Sequence, residues 1–153
     1  MVDTEAFREL KRALGHVREA ELNRALVHIR RAVELERHNP FYLSYLGLLL
    51  ARAEQKWSEA EDLCTAALRM KPDQPQLYLN LAEVYVIAGR REDAVETLTK
   101  GLQYARRDLR LKVALGKLAT RRSPVLPFLP RHHFFNRHLG KIRHRALKFL
   151  RAA

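Results

Sequence analysis

Apolar residues recur at helical spacing through most of the chain, in short segments separated by turn-forming Gly, Pro and Asn. In the clearest segment, residues 75–102, a first apolar stripe is interrupted at Gly89 and a second stripe begins at Ala94. The first stripe consists of Tyr78, Leu81, Ala82 and Tyr85. This pattern predicts a helix, a tight turn and a second helix. Because so short a pair cannot bury its own apolar face, we expect the pair to recur along the chain.

The second stripe does recur, at a nearly constant interval. Its residues Ala94, Leu98, Gly101 and Leu102 have counterparts one period and two periods earlier, and the period is about 34 residues. These counterparts are Ala60, Cys64, Ala67 and Leu68, and then Ala25, Ile29, Ala32 and Val33. In the first helices, Leu46-Gly47 and Leu115-Gly116 stand where Leu81-Ala82 stands. A fixed period of this length predicts stacked helix pairs, each of which packs only against its neighbours.

The same pattern predicts seven helices before residue 122. They cover about residues 4–18, 22–37, 41–53, 57–70, 75–88, 92–104 and 108–121. Asp3 or Thr4 is the expected N-cap of the first helix. Ser58 followed by Glu61 fits a capping box for the fourth helix, which would leave Trp57 just outside that helix.

Residues of two repeats match the tetratricopeptide signature W-x2-L-G-x2-Y…A-x3-F…P. One copy contains Tyr78, Leu81, Ala82, Tyr85, Ala94 and Leu98, and another contains Leu46, Gly47, Ala60, Cys64, Ala67 and Pro72, with one extra residue near Trp57. Over about residues 4–121 the chain therefore resembles the tetratricopeptide-repeat family. The resemblance implies an all-α, right-handed solenoid of three helix pairs and a seventh, capping helix, in a domain spanning residues 1–121.

The resemblance also implies a concave groove, because the first helices of this family line a surface that usually binds peptides. Carried over by repeat position, its lining is Phe41, Tyr45, Leu48, Arg52, Leu79, Asn80, Glu83, Val86, Ile87, Arg110, Val113, Ala114 and Lys117. This set is apolar with scattered charge, which suits an apolar or amphipathic segment of a partner protein. The alternative is that these side chains pack against the tail of the same chain.

Some members of the family grip the C-terminal carboxylate of heat-shock chaperones with a set of Lys, Asn and Arg residues. Asn80 and Arg110 stand at matching places in this chain. Ser44, Leu48 and Ala114 replace the other three members of the set. The sequence therefore argues against a chaperone clamp.

The repeat pattern stops where the second helix of a fourth pair should lie. Pro124, Pro127 and Pro130 recur every third residue there, which predicts an extended segment over residues 122–135. Its apolar residues must be covered, and we expect the segment to cover the open end of the solenoid. The alternative is recognition by another protein, since Arg121-x-x-Pro124-x-x-Pro127 has the form of an SH3 ligand.

Residues 136–153 have the pattern of a basic amphipathic helix. Its apolar face contains Leu139, Ile142, Ala146, Phe149 and Leu150, and its basic face contains Arg137, Lys141, His144, Arg145, Lys148 and Arg151. The formal net charge of the chain is +12, and this excess lies entirely after residue 105. Three interpretations stay open: docking of the apolar face on the solenoid, in-plane binding to an anionic membrane, or sequence-independent contact with nucleic acid, the ribosome or another acidic macromolecule.

The remaining chemistry of the sequence is sparse. Cys64, the only cysteine, lies on an apolar stripe and is expected to be a core residue. His132, His133, His138 and His144 lack the spacing of metal ligands, so we expect no metal site. No Gly-rich phosphate loop, nucleophile elbow or convergent carboxylate pair is present, so we expect neither catalysis nor a cofactor.

These observations together predict a non-catalytic adaptor that binds a partner peptide or helix. No run of 18 apolar residues occurs, and the N-terminus is polar, so we expect a cytoplasmic protein, with peripheral membrane binding as an option. Three helix pairs are near the lower limit for a stable array, which leaves a homodimer open. The alternative function is an anionic-surface binder that uses its basic tail.

Overall fold

The structure, a computed structural model, describes residues 4–119. The chain divides into two units, residues 1–119 and 120–153, and the described residues belong to the first. The predicted Pro-rich segment and the predicted C-terminal helix lie outside the described residues. Within residues 4–119 the structure contains seven α-helices and no strand. The helices are α1 Glu5–Arg18, α2 Leu22–Leu35, α3 Pro40–Glu54, α4 Trp57–Met70, α5 Pro75–Ile87, α6 Arg91–Tyr104 and α7 Leu109–Ala119.

Local sequence sets where these helices start. The Thr4 side chain accepts a hydrogen bond from the backbone N–H of Phe7 at 3.2 Å and so caps α1, as predicted. Asn39 caps α3 in the same way. Pro40 and Pro75 occupy the first position of α3 and α5. A backbone N–H at this position has no hydrogen-bond partner within the helix, so its absence in proline does not weaken the helix.

The turn inside each pair places one residue in the left-handed region. These residues are Ala20, Gln55 and Gly89, with φ of 60°, 55° and 78°. They recur with the same period as the apolar stripes, so the turn repeats together with the helices. Only the third turn uses glycine, the residue that reaches this conformation without a steric penalty.

The capping box predicted at Ser58 and Glu61 is wrong. Helix α4 starts at Trp57, its N-cap is Lys56, and no side chain caps it. The Trp57 ring is partly buried against the apolar core formed with α5 and α6, and this packing places Trp57 within the first turn. Burial of an indole ring outweighs a side-chain cap, which contributes about 1 kcal/mol.

The helices pack as pairs, and each pair packs on the next. Helix α3 contacts α2, α4 and α5, and α7 packs mainly against α6 and more loosely against α5. Two apolar clusters form the core and both draw on α3: Leu49 and Leu50 join the N-terminal cluster, whereas Leu48 and Ala51 join the C-terminal one. The predicted all-α solenoid of three helix pairs and a seventh helix is confirmed for this part of the chain. None of the seven helices has the length and apolar character that crossing a membrane requires.

Cys64 is completely buried on α4, as its place on the apolar stripe predicted. Its thiol donates to the backbone carbonyl of Ser44 at 3.4 Å, and burial raises the pKa of the Cys64 thiol to about 12. A thiol that stays protonated inside the core is not a nucleophile.

Candidate partner-binding groove

The predicted groove residues differ in their exposure to solvent. Leu48 and Asn80 are buried, at 6% and 2% exposure. Phe41, Tyr45, Arg52, Leu79, Glu83 and Ala114 are intermediate, and Val86, Ile87, Arg110, Val113 and Lys117 are exposed. The first helices α3, α5 and α7 therefore present a surface with an apolar middle and charged edges, but two of its predicted members are not accessible to a partner.

The boundary between α3 and α5 is closed by polar contacts. The Asn80 amide donates to the Ser44 hydroxyl at 3.0 Å, and Asn80 accepts a hydrogen bond from the Gln76 amide at 2.8 Å. Ser44 and Asn80 are both buried, and the hydrogen bond between them gives each buried polar side chain a partner. Closer to the surface, Arg52 of α3 forms an ion pair with Glu83 of α5. We call this boundary the α3/α5 seam.

The boundary between α5 and α7 is open by comparison. It contains a cavity of about 450 Å³, which we call the α5/α7 cleft. The cleft is lined by Gln76, Leu79, Asn80, Ala82, Glu83, Val86, Leu98, Ala114, Lys117 and Leu118. Six of these ten residues are aliphatic, and the other four have amide or charged side chains. The cleft is large enough to take an apolar side chain of a partner.

The α7 end of the groove is basic. The charged residues on α7 are Arg110, Lys112 and Lys117, all basic. Arg110 donates to Asp108 at 2.9 Å and to Gln76 at 3.2 Å. The Arg110 guanidinium holds the pKa of the Asp108 carboxyl below its usual value. Asp108 also accepts hydrogen bonds from the backbone N–H groups of Arg110 and Leu111, and so caps α7.

Four cleft residues were not predicted from the sequence: Gln76, Ala82, Leu98 and Leu118. Gln76 has the same repeat position as the predicted residues Phe41 and Arg110, so strict use of the period identifies it. Leu98 and Leu118 belong to the apolar core pattern, and they reach the cleft only because α7 packs loosely on α5. No feature of the sequence predicts the loose packing of α7 on α5. The predicted basic face (Arg137, Lys141, His144, Arg145, Lys148 and Arg151) lies outside the described residues.

Within residues 4–119, one group of potential metal ligands lies at the turn from α1 to α2. Ligand atoms of His16, Glu19 and Glu21 lie within 4.8 Å of one another. The His16 Nδ1 atom is 2.8 Å from a Glu21 carboxylate oxygen, and Arg24 donates two hydrogen bonds to the same carboxylate. These contacts already compensate the charge of Glu21.

The tetratricopeptide-repeat family model matches residues 51–118 of this chain. That stretch contains the end of α3, all of α4, α5 and α6, and all but the last residue of α7. Residues 51–118 therefore contain tetratricopeptide repeats. The resemblance to this family that the sequence predicts over residues 4–121 is confirmed by the family model over this stretch.

A curated relative of this chain is anaphase-promoting complex subunit 7 from Dictyostelium discoideum. The two are 31% identical over 67 residues, which are 44% of this chain and 12% of that relative. The chain thus matches only about one-eighth of the relative's length, so the similarity describes repeats rather than a whole subunit.

Solved structures give the same fold. The first TPR of Spaghetti (RPAP3), bound to the HSP90 peptide SRMEEVD, has a TM-score of 0.62 at 14% identity and covers 77% of this chain and 95% of its own. The Sgt2 TPR domain from Aspergillus fumigatus has a TM-score of 0.63 at 17% identity, with 74% and 76% covered. The TPR2B domain of yeast Sti1, in complex with an Hsp70 ligand, has a TM-score of 0.59 at 16% identity, with 74% and 94% covered. Such distant similarities establish the fold, and two of these three domains were solved with a chaperone ligand.

Proposed function

We propose that this protein is a non-catalytic adaptor that binds an apolar or amphipathic segment of a partner protein along α3, α5 and α7. The observation that supports this proposal best is the α5/α7 cleft. It is a largely aliphatic cavity between two of the first helices, which the resemblance predicts to line the groove, and Val86 in its wall is 44% exposed. An exposed valine in an aliphatic cavity favours an apolar partner residue.

In this proposal the cleft receives one anchoring side chain of the partner. Complete burial of a Leu or Phe side chain contributes about 1.5–3 kcal/mol, which is enough to fix the register of an otherwise weakly held peptide. Gln76 and Lys117, which also line the cleft, then contact the partner's backbone or acidic side chains. The α3/α5 seam next to the cleft provides a rigid wall, because its polar groups already bond to each other.

The partner's C-terminal carboxylate plays little part in this mode. The two residues that match the chaperone clamp are both engaged: Asn80 is buried against Ser44, and Arg110 pairs with Asp108. We therefore expect the peptide SRMEEVD to bind weakly to the full chain, with the same affinity whether its C-terminus is a free acid or an amide. Tighter binding of the free acid by tenfold or more in calorimetry would contradict this part of the proposal.

The groove is tested with two matched surface variants of the full chain. Val86→Glu places a charge beside the cleft, and Val27→Glu places the same charge on α2, where Val27 is 65% exposed. Both variants should melt like the parent protein, because both side chains face solvent. Proteins retained from a cell extract by the parent chain and by Val27→Glu, but lost with Val86→Glu, support the groove. Equal retention by both variants would rule it out.

We also propose that the basic tail caps the array.

A second candidate function, binding of an anionic surface, is favoured by one sequence fact: residues 120–153 contain nine Lys and Arg residues and no Asp or Glu. Retention on heparin or on vesicles with anionic lipid should then fall steeply with salt. The double variant Arg145→Gln/Lys148→Gln should bind both more weakly, and unchanged salt dependence would contradict this function.

A further inference from the structure

Another cavity lies at the junction between the first and the second helix pair. It has a volume of about 530 Å³ and is formed by the connection between α2 and α3 together with the residue that ends α4. We call this cavity the α2/α3 pocket. It is lined by Glu36, Arg37, His38, Asn39, Pro40, Phe41 and Lys71. Of these residues only Phe41 belongs to the predicted groove.

Three basic side chains from two connections of the chain line the α2/α3 pocket. Arg37 and His38 lie between α2 and α3, and Lys71 directly follows α4. All three are exposed. Within residues 4–119 the side chains of Arg37 and His38 form neither a hydrogen bond nor an ion pair. The Lys71 ammonium nitrogen is 5.9 Å from the centre of the Phe41 ring, a contact that leaves its hydrogen-bond donors available.

The other polar side chains of the pocket are already hydrogen-bonded. The two carboxylate oxygens of Glu36 accept from the Thr4 hydroxyl at 3.1 Å and from the Asn39 amide at 2.9 Å. The side-chain oxygen of Asn39 accepts in turn from the backbone N–H of Phe41 at 3.0 Å. The polar groups left to bind a ligand are therefore the three basic side chains. Because each of them donates hydrogen bonds, the set favours an anion.

The repeat does not require this basic set. The residues that end α2 and α4 have nearly the same backbone conformation, with φ of −135° and −142°. At the next junction the positions of Arg37, His38 and Lys71 are occupied by Pro72, Asp73 and Ala105. The chain therefore makes the same turn with and without these charges, which favours a role for them in binding.

Charge and geometry favour a phosphate over a carboxylate in the α2/α3 pocket. The lining carries two full positive charges, on Arg37 and Lys71, against one negative charge on Glu36. The attraction of this excess for a ligand grows with the charge of the ligand. A phosphorylated side chain carries a charge of about −1.5 to −2 and three acceptor oxygens, whereas a carboxylate has a single charge and two oxygens. Three phosphate oxygens thus match three donor side chains, and a guanidinium alone can bind two of them.

We infer that the α2/α3 pocket binds a phosphorylated serine or threonine of the partner protein. The inference rests on the proposed function, because Phe41 belongs both to this pocket and to the predicted groove. A segment held along α3 can therefore place a phosphorylated side chain against Arg37 and Lys71. The pocket thereby adds a requirement for phosphorylation to a partner that the α5/α7 cleft selects by an apolar residue.

Titration of the ¹⁵N-labelled full chain with N-acetyl-phosphoserine amide tests the pocket by NMR. The backbone amides of residues 37, 38 and 71 should shift in a saturable manner. N-acetyl-serine amide, which has no charge, should not shift them. N-acetyl-glutamate amide and inorganic phosphate should each bind about fivefold more weakly, since the first has less charge and the second makes no contact with Phe41.

Two matched double variants locate the binding. Arg37→Gln/Lys71→Gln should weaken the binding of N-acetyl-phosphoserine amide about tenfold or more, because both full charges of the pocket are lost. Arg106→Gln/Arg107→Gln removes the same charge from the connection between α6 and α7, where both arginines are exposed, and should bind like the parent chain. All four substituted side chains are exposed, so both variants should melt like the parent chain.

The inference is overturned if no saturable shift occurs, if the two double variants bind equally well, or if the glutamate compound or inorganic phosphate binds as tightly as the phosphoserine compound. These outcomes are independent of the groove, because the probe has no apolar side chain for the α5/α7 cleft. If the probe does not bind but Val86→Glu still loses its partners, this inference fails and the proposed function stands. If the probe binds as expected but Val86→Glu retains every protein, the pocket is supported and the groove is rejected.

Discussion

Helices α3 and α7 are two copies of the same element, yet the described structure covers them very differently. In α3 the run from Leu48 to Ala51 is at most 6% exposed, because α2, α4 and α5 surround it. In α7 Leu111 is fully buried, but Leu109 and Val113 are 73% and 54% exposed. The repeat sequence specifies one helix in both places. What each helix buries depends on the neighbours it acquires, which the repeat itself does not encode.

The two seams that these helices make with α5 differ in the same way. Ser44 and Asn80 join α3 to α5 through a buried hydrogen bond, and Arg52 and Glu83 add an ion pair above it. At the α5/α7 boundary the position of Asn80 is taken by Ala114, which lines a cavity instead of bridging it. The position of Ser44 is likewise taken by Leu79, so the buried hydrogen bond of the α3/α5 seam has no counterpart at the α5/α7 boundary.

The largest expected effect is a loss of stability caused by a substitution in α3. Gly47→Ala should reduce the free energy of unfolding by about 3 kcal/mol, because the added methyl group meets the backbone oxygen of Ala60 and the Cys64 sulfur at under 3 Å. A carbonyl held in a helix cannot move away without shifting α4. Urea denaturation followed by circular dichroism measures the loss. A change below about 1 kcal/mol would show that α3 and α4 are less tightly seated than the structure indicates.

The second prediction compares the seams directly. Asn80→Ala should cost about 2 kcal/mol, because the Ser44 hydroxyl loses its donor in a fully buried place. The matched change at the same repeat position of α7, Ala114→Asn, should alter stability by less than about 0.5 kcal/mol, since its side chain enters an open cavity. Equal effects of the two variants in denaturant would mean that the seams are equivalent.

Sequence reasoning predicted the fold well and the site less well, for a physical reason. The period and the small-residue positions depend on contacts between neighbouring helices, so Ala60, Cys64 and Gly101 were readily identified as core. Accessibility in the groove depends on side-chain partners from the adjacent repeat. Asn80 has the repeat position of a ligand-binding residue, but it is buried because Ser44 lies opposite. The predicted start of α4 at residue 57 is correct, but the predicted capping box at Ser58 is wrong, because Lys56 is the N-cap and Trp57 packs against the core from the first turn.

The third prediction makes the same change as Gly47→Ala at a position with more room. A Cβ at Gly15 of α1 has no neighbour within 4 Å in residues 4–119, whereas a Cβ at Gly47 of α3 meets α4. Gly15→Ala should therefore raise the free energy of unfolding by about 0.5–1 kcal/mol, because alanine favours a helix over glycine. Urea denaturation beside Gly47→Ala measures the gain, and a loss of stability would contradict the open surroundings of Gly15.

The smallest expected effect is a pH dependence of stability, which the N-cap of α7 should produce and the N-cap of α3 should not. Asn39 caps α3 with an amide, whereas Asp108 caps α7 with a carboxylate whose pKa the Arg110 guanidinium lowers from 3.8. Because the folded-state pKa of Asp108 is depressed, its stabilisation is present above pH 3.8 and is lost as the pH falls through the folded value. Relative to Asp108→Asn, the parent chain should lose about 0.5 kcal/mol of unfolding free energy on acidification from neutral pH to below that value. Asn39→Asp, measured beside the parent chain, should add a similar contribution to the unfolding free energy at α3, and this contribution should be lost in acid. Parallel pH profiles for the parent and Asp108→Asn would mean that the carboxylate does not stabilise α7.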